Sequence, residues 1–168
     1  MQMLQNIPGM LIDAINASNA TPGILDEIIF SIDISLTNFT SQIIIDQVVL
    51  DGSGFDIELN SSNITFGFGI FTFFTGSDGS TIKNIRITGS SGYGIFADGL
   101  DDLSIMNNTI SGCSQSGIQL ENGDNPFVYN NFISNINLSS TKRIHSIDPY
   151  TKCSLSNVIC QDILDLIN

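Results

Sequence analysis

The sequence predicts an all-β fold, a parallel β-solenoid of about five coils that a short α-helix closes at the N-terminus. Three observations predict it: a motif that recurs at a constant offset of 23, short β-branched runs inside each repeat, and Gly, Asn and Ser between those runs. A fixed period of this size is typical of stacked units that bury their apolar faces against one another. The runs show no helical periodicity, so each unit is expected to contain short strands.

The repeat is clearest in the middle of the chain. The segment Ile82–Gly89 (IKNIRITG) is followed by Ile105–Gly112 (IMNNTISG) and Val128–Asn135 (VYNNFISN), so the copies begin at positions 82, 105 and 128, and the offset is 23 both times. A second element has the same offset, since Gly94-Ile95 matches Gly117-Ile118. Equivalent positions in successive copies are therefore expected to lie one above the other on neighbouring coils, at a strand spacing of about 4.8 Å.

Composition agrees with this architecture and limits the partners. The chain has 168 residues, enough for one domain with a sizeable core; 42% are hydrophobic and 13% are charged. The formal net charge of −12, with five Lys and Arg residues, disfavours nucleic acid and anionic membrane surfaces. No apolar run reaches the roughly 18 residues of a membrane span, and residues 1–10 are too polar for a secretory signal. We therefore expect no membrane insertion.

The three cysteines predict neither a metal site nor a disulfide framework. Cys113, Cys153 and Cys160 are odd in number and have no C-x-x-C spacing. We expect small buried apolar side chains, and a bridge between Cys153 and Cys160 stays open.

The start of the chain predicts an N-terminal cap. Apolar residues through Met10–Ser18 favour a short amphipathic helix that ends near Asn19, and Thr21-Pro22-Gly23 is a stop signal. Such a helix would cover the edge of the first coil, which otherwise invites pairing with another chain.

The chain is expected to form a single domain over residues 1–168. Its parts are an N-terminal cap over 1–23, regular coils over 24–135, and an irregular insertion, last coil and C-terminal cap over 136–168. In the last coil, Leu155 and Cys160 match Ile82 and Ile87, but they come about four positions later than the period requires.

The front of the chain fits the repeat less well. Ile45–Gly52 is similar to Ile82–Gly89, yet the offset from position 45 to position 82 is 37, which predicts a longer or additional coil around Phe68–Phe74. This run holds more phenylalanine than one inward face needs. The rings are either exposed, as a stacking platform for a ligand or a surface for a partner, or covered by a loop of their own coil. The aromatic residues that we expect to contact a ligand are Phe71, Phe73, Phe74 and Tyr93.

Asparagine recurs at the third position of every copy. The residues are Asn84, Asn107, Asn130 and, in the late copy, Asn157. Asparagine tolerates left-handed backbone conformations, and stacked amides form ladders. We expect a structural column here, and not a binding site.

These segments resemble the right-handed parallel β-helix proteins of the pectate-lyase-like superfamily. Gly79–Gly89 followed by Gly92–Ile95 is similar to their common coil. Ala14–Phe30 followed by Ile45–Gly52 is similar to the N-terminal module of bacterial surface β-helix proteins.

The resemblance covers roughly residues 10–135. The chain departs from the pattern in two places: it has Ile24-Leu25 where the module has one residue, and it lacks the Arg-Glu that precedes Ala14. The resemblance implies the fold but no single activity, because the superfamily includes lyases, hydrolases, epimerases, adhesins and phage or viral spikes.

Acidic residues form the densest charged patch. The repeat offset places Asp98 beside Glu121 and Asp101 beside Asp124, with Asp102 adjacent. Like charges directly opposite each other are unfavourable unless solvated, protonated or neutralised by a cation. One interpretation is a site for Ca²⁺, which binds oxygen ligands. The other is a set of solvated turn aspartates, because Gly, Asn and Pro surround them.

The resemblance also implies what an enzyme would need. Lyases acting on uronates use Ca²⁺ on an Asp cluster with an Arg or Lys base, hydrolases use paired aspartates with a Gly-His-Gly, and epimerases use an Asp-Pro-His. Here His145 is outside such motifs, Arg86 has Thr and Phe at its equivalents, and Asp148-Pro149-Tyr150 lacks the His. If the chain is an enzyme, its catalytic residues are expected among the same carboxylates, namely Asp98, Asp101, Glu121 and Asp124.

We therefore expect a non-catalytic structural or recognition module, extracellular at a cell or virion surface, with a polysaccharide or other glycan as its ligand. Apart from Ca²⁺, no cofactor is expected. Two alternatives stay open. One is a polysaccharide lyase or glycoside hydrolase acting on acidic polysaccharide. The other is an assembly subunit that uses the Phe-rich coil to bind a protein partner or a second copy of itself.

Overall fold

The computed structural model describes residues 8–61, 63–64 and 68–136, together with the backbone of the short strands at 2–4, 144–145, 154–156 and 159–160. The helix α1 is Pro8–Asn19. The strands in chain order are β1 Gln2–Leu4, β2 Asp26–Phe30, β3 Ile34–Leu36, β4 Gln42–Ile44, β5 Val48–Asp51, β6 Ile57–Ser61, β7 Gly69–Phe74, β8 Thr81–Lys83, β9 Arg86–Ser90, β10 Tyr93–Asp98, β11 Ser104–Met106, β12 Thr109–Ser111, β13 Ile118–Glu121, β14 Phe127–Tyr129, β15 Phe132–Ser134, β16 Ile144–His145, β17 Ser154–Ser156 and β18 Ile159–Cys160.

The strands form three sheets, and each coil contributes one strand to each sheet in turn. Sheet A has the order β1-β2-β5-β8-β11-β14-β17, sheet B β18-β15-β12-β9-β6-β3, and sheet C β16-β13-β10-β7-β4. Neighbouring strands pair in parallel, and the buried apolar side chains fill the space between the sheets. This is a parallel β-solenoid of about five coils with an N-terminal helix, which confirms the predicted fold class.

The pairing register confirms the period of the repeat. Ile82 pairs with Ile105 and Ile105 with Val128 on sheet A, and all three side chains are fully buried. The late copy continues the same columns, because Leu155 pairs with Val128 and Cys160 continues sheet B. The proposed C-terminal cap and the Cys153–Cys160 bridge lie outside the described residues, while Cys113 is a buried free thiol, as expected.

The front coil corrects one predicted register. Leu50 pairs with Ile82, although the likeness of the two segments placed it on Ile87. As a result Ile45 falls outside sheet A, and 50% of its surface is exposed. The cause is the turn between sheets A and B, which takes residues 52–56 in this coil but only 84–85 in the repeat.

The predicted asparagine column forms the bend between sheets A and B. Asn84, Asn107 and Asn130 have φ angles of 59°, 54° and 53°, the left-handed conformation that asparagine tolerates. The Asn130 amide donates to Asn107 Oδ1 at 2.7 Å. These residues lie on the outside of the bend and turn the chain, as predicted.

A second asparagine ladder, which the sequence reasoning missed, lies inside the bend. Asn108 and Asn131 are each 1% exposed. Asn131 Oδ1 accepts from the Asn108 backbone N–H at 2.9 Å, and Asn108 Oδ1 accepts from the Ile85 backbone N–H at 3.0 Å. The two amides donate to the carbonyl oxygens of Ile105 and Ile82. The ladder satisfies backbone groups that would otherwise be buried without partners.

The N-terminal helix caps the solenoid as predicted, and it begins at Pro8, two residues earlier than expected. Proline suits this position because the first helical N–H has no partner within the helix. At the other end of α1, the Asn19 side chain makes two hydrogen bonds of the kind that a neighbouring strand would make. Its amide donates to Ile43 O at 2.7 Å and its Oδ1 accepts from Ile45 N–H at 3.0 Å. Asn19 thereby occupies part of the free edge of β4 in sheet C.

Within the described residues, no helix has the length and apolar character needed to cross a membrane.

Candidate functional site

The outer face of sheet C carries the best candidate site, and strand alternation explains why. In β10, Ile95 and Ala97 point into the core, so the residue between them points outward. That residue, Phe96, pairs with Thr72 on one side and Gln119 on the other. We call the surface around it the aromatic–acidic face, and its residues are Phe74, Tyr93, Phe96, Asp98, Gln119 and Glu121.

Aromatic rings cover the middle of this face. Tyr93 stacks on Phe96 with ring centroids 5.4 Å apart and planes inclined by 16°. Phe74 meets Phe96 edge to face at 6.3 Å, and Phe68 meets Phe74 in the same way. Phe96 is 8% exposed, whereas Tyr93 and Phe74 are half-buried and reach the surface. The cluster therefore offers ring surface to a ligand while its centre is fixed by packing.

Carboxylates and amides lie beside the rings. Asp98 and Glu121 are register partners at the ends of β10 and β13, as the repeat offset predicted. Asn122 donates to Asp98 Oδ1 at 2.7 Å, and Gln119 donates to Glu121 Oε1 at 3.0 Å. Burial, and secondly the charge of Glu121, raise the pKa of the Tyr93 hydroxyl above its ordinary value. Ring, hydroxyl and carboxylates thus share one surface, while the Gln119 amide, 3% exposed, supports Glu121 from within.

Two of the predicted ligand-contacting residues do not reach this surface. Phe71 and Phe73 have 0% exposure, and Phe71 packs against Phe39 at a centroid distance of 6.4 Å. Their prediction as ligand-binding residues is therefore wrong. The physical reason is the alternation of β7, which directs residues 71 and 73 inward and Phe74 outward. Phe74 and Tyr93 do lie on the candidate face, and their binding role stays a prediction.

The remaining predicted acidic residues form a separate turn column. Asp101 Oδ1 accepts from the Asp124 backbone N–H at 2.8 Å, and Asp78 Oδ1 accepts from the Asp101 backbone N–H at the same distance. Asp102 has a φ of 58°, and its N–H donates to Asp124 O at 2.9 Å. Asp101 is therefore stacked on Asp124 as predicted, in an arrangement that links successive turns. Asp78 belongs to the same column and was missed, although it precedes Asp101 by one full period of the repeat.

The acidic residues do not fit a ready-made Ca²⁺ site. Ca²⁺ takes six to eight oxygen ligands, whereas within the described part of the chain no three Asp, Glu, His or Cys side chains converge. Asp98 and Glu121 form one pair, and Asp101, Asp102 and Asp124 serve the turn. Ca²⁺ binding by these five residues stays a prediction without structural support.

The cationic side chains that the structure describes lie on the other two sheets. Lys83 Nζ is 3.0 Å from Asp51 on sheet A, and Arg86 is 2.7 Å from Glu58 and 3.0 Å from Asp56 on sheet B. Hydrogen bonds from Thr88 and then Arg86 lower the pKa of Glu58. Arg86 points outward from its strand as expected, and it serves an ion pair there.

Phe96, Gln119 and Asn122 are site residues that the sequence reasoning missed. The repeat contained the signal for the first two, since Phe96 and Gln119 occupy equivalent positions of successive copies and each falls between inward positions. Asn122 has a φ of 52°, and this left-handed turn after β13 directs its amide back to Asp98. The chain offered no comparable signal for that bond, because it depends on the turn geometry.

Comparison with protein families gives one match. The family model described as the right handed beta helix region matches residues 68–159, which is more than half of the chain and includes the whole aromatic–acidic face. Comparison with curated proteins and with solved structures gives no match.

Proposed function

The chain belongs to the right-handed beta helix family, and from this premise we propose that it is a non-catalytic recognition module that binds glycan on the aromatic–acidic face. The observation that carries the proposal is the Tyr93–Phe96 stack with the Asp98–Glu121 pair beside it. Sugar rings have apolar C–H faces and hydroxyl edges. They therefore match a surface on which an aromatic ring adjoins carboxylates.

The location on sheet C is supported by comparison with another aromatic pair. Phe127 and Tyr129 on sheet A also stack, at 5.8 Å and 12°, and Phe127 is 38% exposed. Their register partners on β11 are Ser104 and Met106, which offer no carboxylate. A sugar on sheet A would find the ring surface without the paired acids, so sheet C is the better site.

Extracellular location at a cell or virion surface belongs to the same proposal. A glycan-binding solenoid has its ligands there, and a net charge of −12 suits a protein that does not bind nucleic acid. This location is tested separately from binding, by labelling intact cells or particles with a non-permeant reagent.

The binding experiment uses isothermal titration calorimetry with short oligosaccharides of glucose, glucosamine, N-acetylglucosamine and galacturonate. We expect at least one of them to bind and Tyr93→Ala to weaken that binding by about tenfold, the loss of one stacked ring. Tyr129→Ala is the matched control and should leave binding unchanged. Thermal melts of both variants check that each is folded.

Three results would overturn parts of the proposal. Binding to none of the four oligosaccharides argues against glycan recognition. Loss of binding in Tyr129→Ala with retention in Tyr93→Ala moves the site to sheet A.

Turnover of a bound oligosaccharide, abolished by Asp98→Asn and Glu121→Gln, would make the chain a lyase or hydrolase. Among the described side chains, that enzyme would have no Lys or Arg on sheet C, since Lys83 and Arg86 lie on sheets A and B. The backbone of His145 does lie on this sheet, where β16 pairs it with Gln119.

A further inference from the structure

The aromatic–acidic face carries charge of one sign among the described residues. Asp98 and Glu121 are paired in register, and the groups that donate to them are the neutral amides of Asn122 and Gln119. Neighbouring strands are about 4.8 Å apart, so the two carboxylates hold two negative charges close together. A bound cation would relieve their mutual repulsion.

The described cations cannot relieve it, because each is engaged elsewhere. Lys83 pairs with Asp51 on sheet A, and Arg86 pairs with Glu58 and Asp56 on sheet B. Lys142, Arg143 and Lys152 lie outside the described residues, and only the backbone of His145 is described, on β16 beside Gln119.

The aromatic rings and the carboxylates both favour a positively charged ligand. The face of an aromatic ring is the negative end of its quadrupole and attracts an ammonium group. Tyr93 presents such a face, and the charge of Glu121 is close enough to act on its hydroxyl. A sugar that rests on Tyr93 would therefore bring one edge towards Glu121 and Asp98. At that edge an ammonium group gains from both the ring and the acids, while a carboxylate meets only repulsion.

We propose that the aromatic–acidic face selects a glycan of protonated amino sugars over neutral and acidic glycans. This inference rests on the proposed glycan-binding function and specifies its ligand class. It differs from an acidic-polysaccharide substrate, which would bring a third negative charge to the pair.

The test compares three short oligosaccharides of equal length in the same calorimeter: glucosamine, N-acetylglucosamine and galacturonate. N-acetylation removes the charge and keeps the ring, so it isolates the ammonium contribution. We expect glucosamine to bind roughly tenfold more tightly than N-acetylglucosamine at low salt, and galacturonate to bind least. The preference should shrink as salt is raised, and also when the pH is raised above the pKa of the sugar amine.

Glu121→Gln supplies the residue-level test, because it keeps the side-chain shape and removes one charge. It should reduce the preference for glucosamine over N-acetylglucosamine to a fewfold at most. The matched control is Glu27→Gln on β2, which removes the same charge from an exposed position on sheet A. This control should keep the full preference, which separates a local contact from an effect of net charge.

The outcomes distinguish the two proposals. If N-acetylglucosamine or galacturonate binds as tightly as glucosamine, glycan recognition stands and the amino-sugar selectivity is wrong. If Glu27→Gln lowers the preference as much as Glu121→Gln, the selectivity comes from overall charge and the assignment to this face is wrong. If none of the three binds, the amino-sugar selectivity is wrong, and the glucose oligosaccharide of the earlier panel decides whether glycan recognition stands.

Discussion

Asn131→Ala is expected to lower the free energy of unfolding by about 2–4 kcal/mol, because it leaves the buried Asn108 N–H without an acceptor and removes a second hydrogen bond, to Ile105 O. The Asn108 N–H loses its acceptor at 2.9 Å, and Ile105 O loses a donor at 2.8 Å. An unsatisfied buried donor costs about 1–3 kcal/mol, and the loss of one hydrogen bond to a carbonyl that lies in a strand ladder costs about 0.5–1.5 kcal/mol. Tyr129 O is spared because it also accepts from the Asn107 N–H.

The neighbouring residue provides the control. Asn130 has the same side chain but is exposed, and its amide makes one described bond, to Asn107. Its φ of 53° makes alanine unfavourable by about 1 kcal/mol, whereas Asn130→Gly should be nearly neutral. The inner position should therefore cost clearly more than the outer one.

Urea denaturation of the three variants measures the difference. Hydrogen exchange adds a local measurement, because the Asn108 amide should lose protection in Asn131→Ala and keep it in Asn130→Ala. The local probe is needed since a solenoid can open coil by coil. Equal losses at the two positions, or a loss below about 1 kcal/mol at Asn131, would refute the role assigned to the inner ladder.

Three further predictions follow from single features of the fold. Asn19→Ala frees Ile43 O and Ile45 N–H at the edge of β4, so light scattering should detect more self-association than in the wild type. Asn16→Ala, at an exposed position of the same helix, is the control, and equal self-association of the two variants would show that Asn19 does not protect the edge. Gly123→Ala places a Cβ 1.8 Å from Leu100 O and should lower the melting temperature by several degrees. The Cβ of Gly9→Ala meets no atom within 4 Å, so this control should leave the melting temperature equal or raised. Equal melting temperatures of the two variants would contradict the close approach at Gly123. Desolvation raises the pKa of Asp51, but hydrogen bonds from Ser53, Asn84 and Lys83 together lower it from 3.8 to about 2. Ionised Asp51 therefore contributes up to about 2 kcal/mol to the free energy of unfolding, fully above pH 4, and this contribution is lost as the pH falls towards 2. Asp51→Asn should flatten this part of the stability–pH curve, and an unchanged curve would contradict the assignment.

The period of the sequence was enough to predict the columns of the solenoid. Ile82, Ile105 and Val128 recur at a constant offset, and a parallel register turns this spacing into vertical stacking. The Asp98–Glu121 pair follows by the same arithmetic. These predictions succeed because they need only the offset between copies. An extra turn residue would have changed that offset, and the change would have been visible in the sequence.

Predictions that needed the direction of a side chain were less reliable. Phe71 and Phe73 alternate inward in β7, and a run of four phenylalanines does not show which members face the core. Asn130 and Asn131 are adjacent in sequence, and the bend decides that the second one is the buried amide. The front coil failed for a related reason, since the longer turn at 52–56 shifts the strand without changing its composition.

The aromatic–acidic face extends over three coils, whereas the fold repeats with every coil. Phe74 belongs to one turn of the chain, Tyr93, Phe96 and Asp98 to the next, and Glu121 to the one after. Excising residues 84–106 would join equivalent points of the repeat, so the shortened chain could close its columns again with one layer fewer. It would nevertheless have lost the middle of the aromatic–acidic face, and Phe74 would meet Glu121 directly. The architecture repeats with every layer, whereas the proposed glycan-binding face needs three consecutive layers.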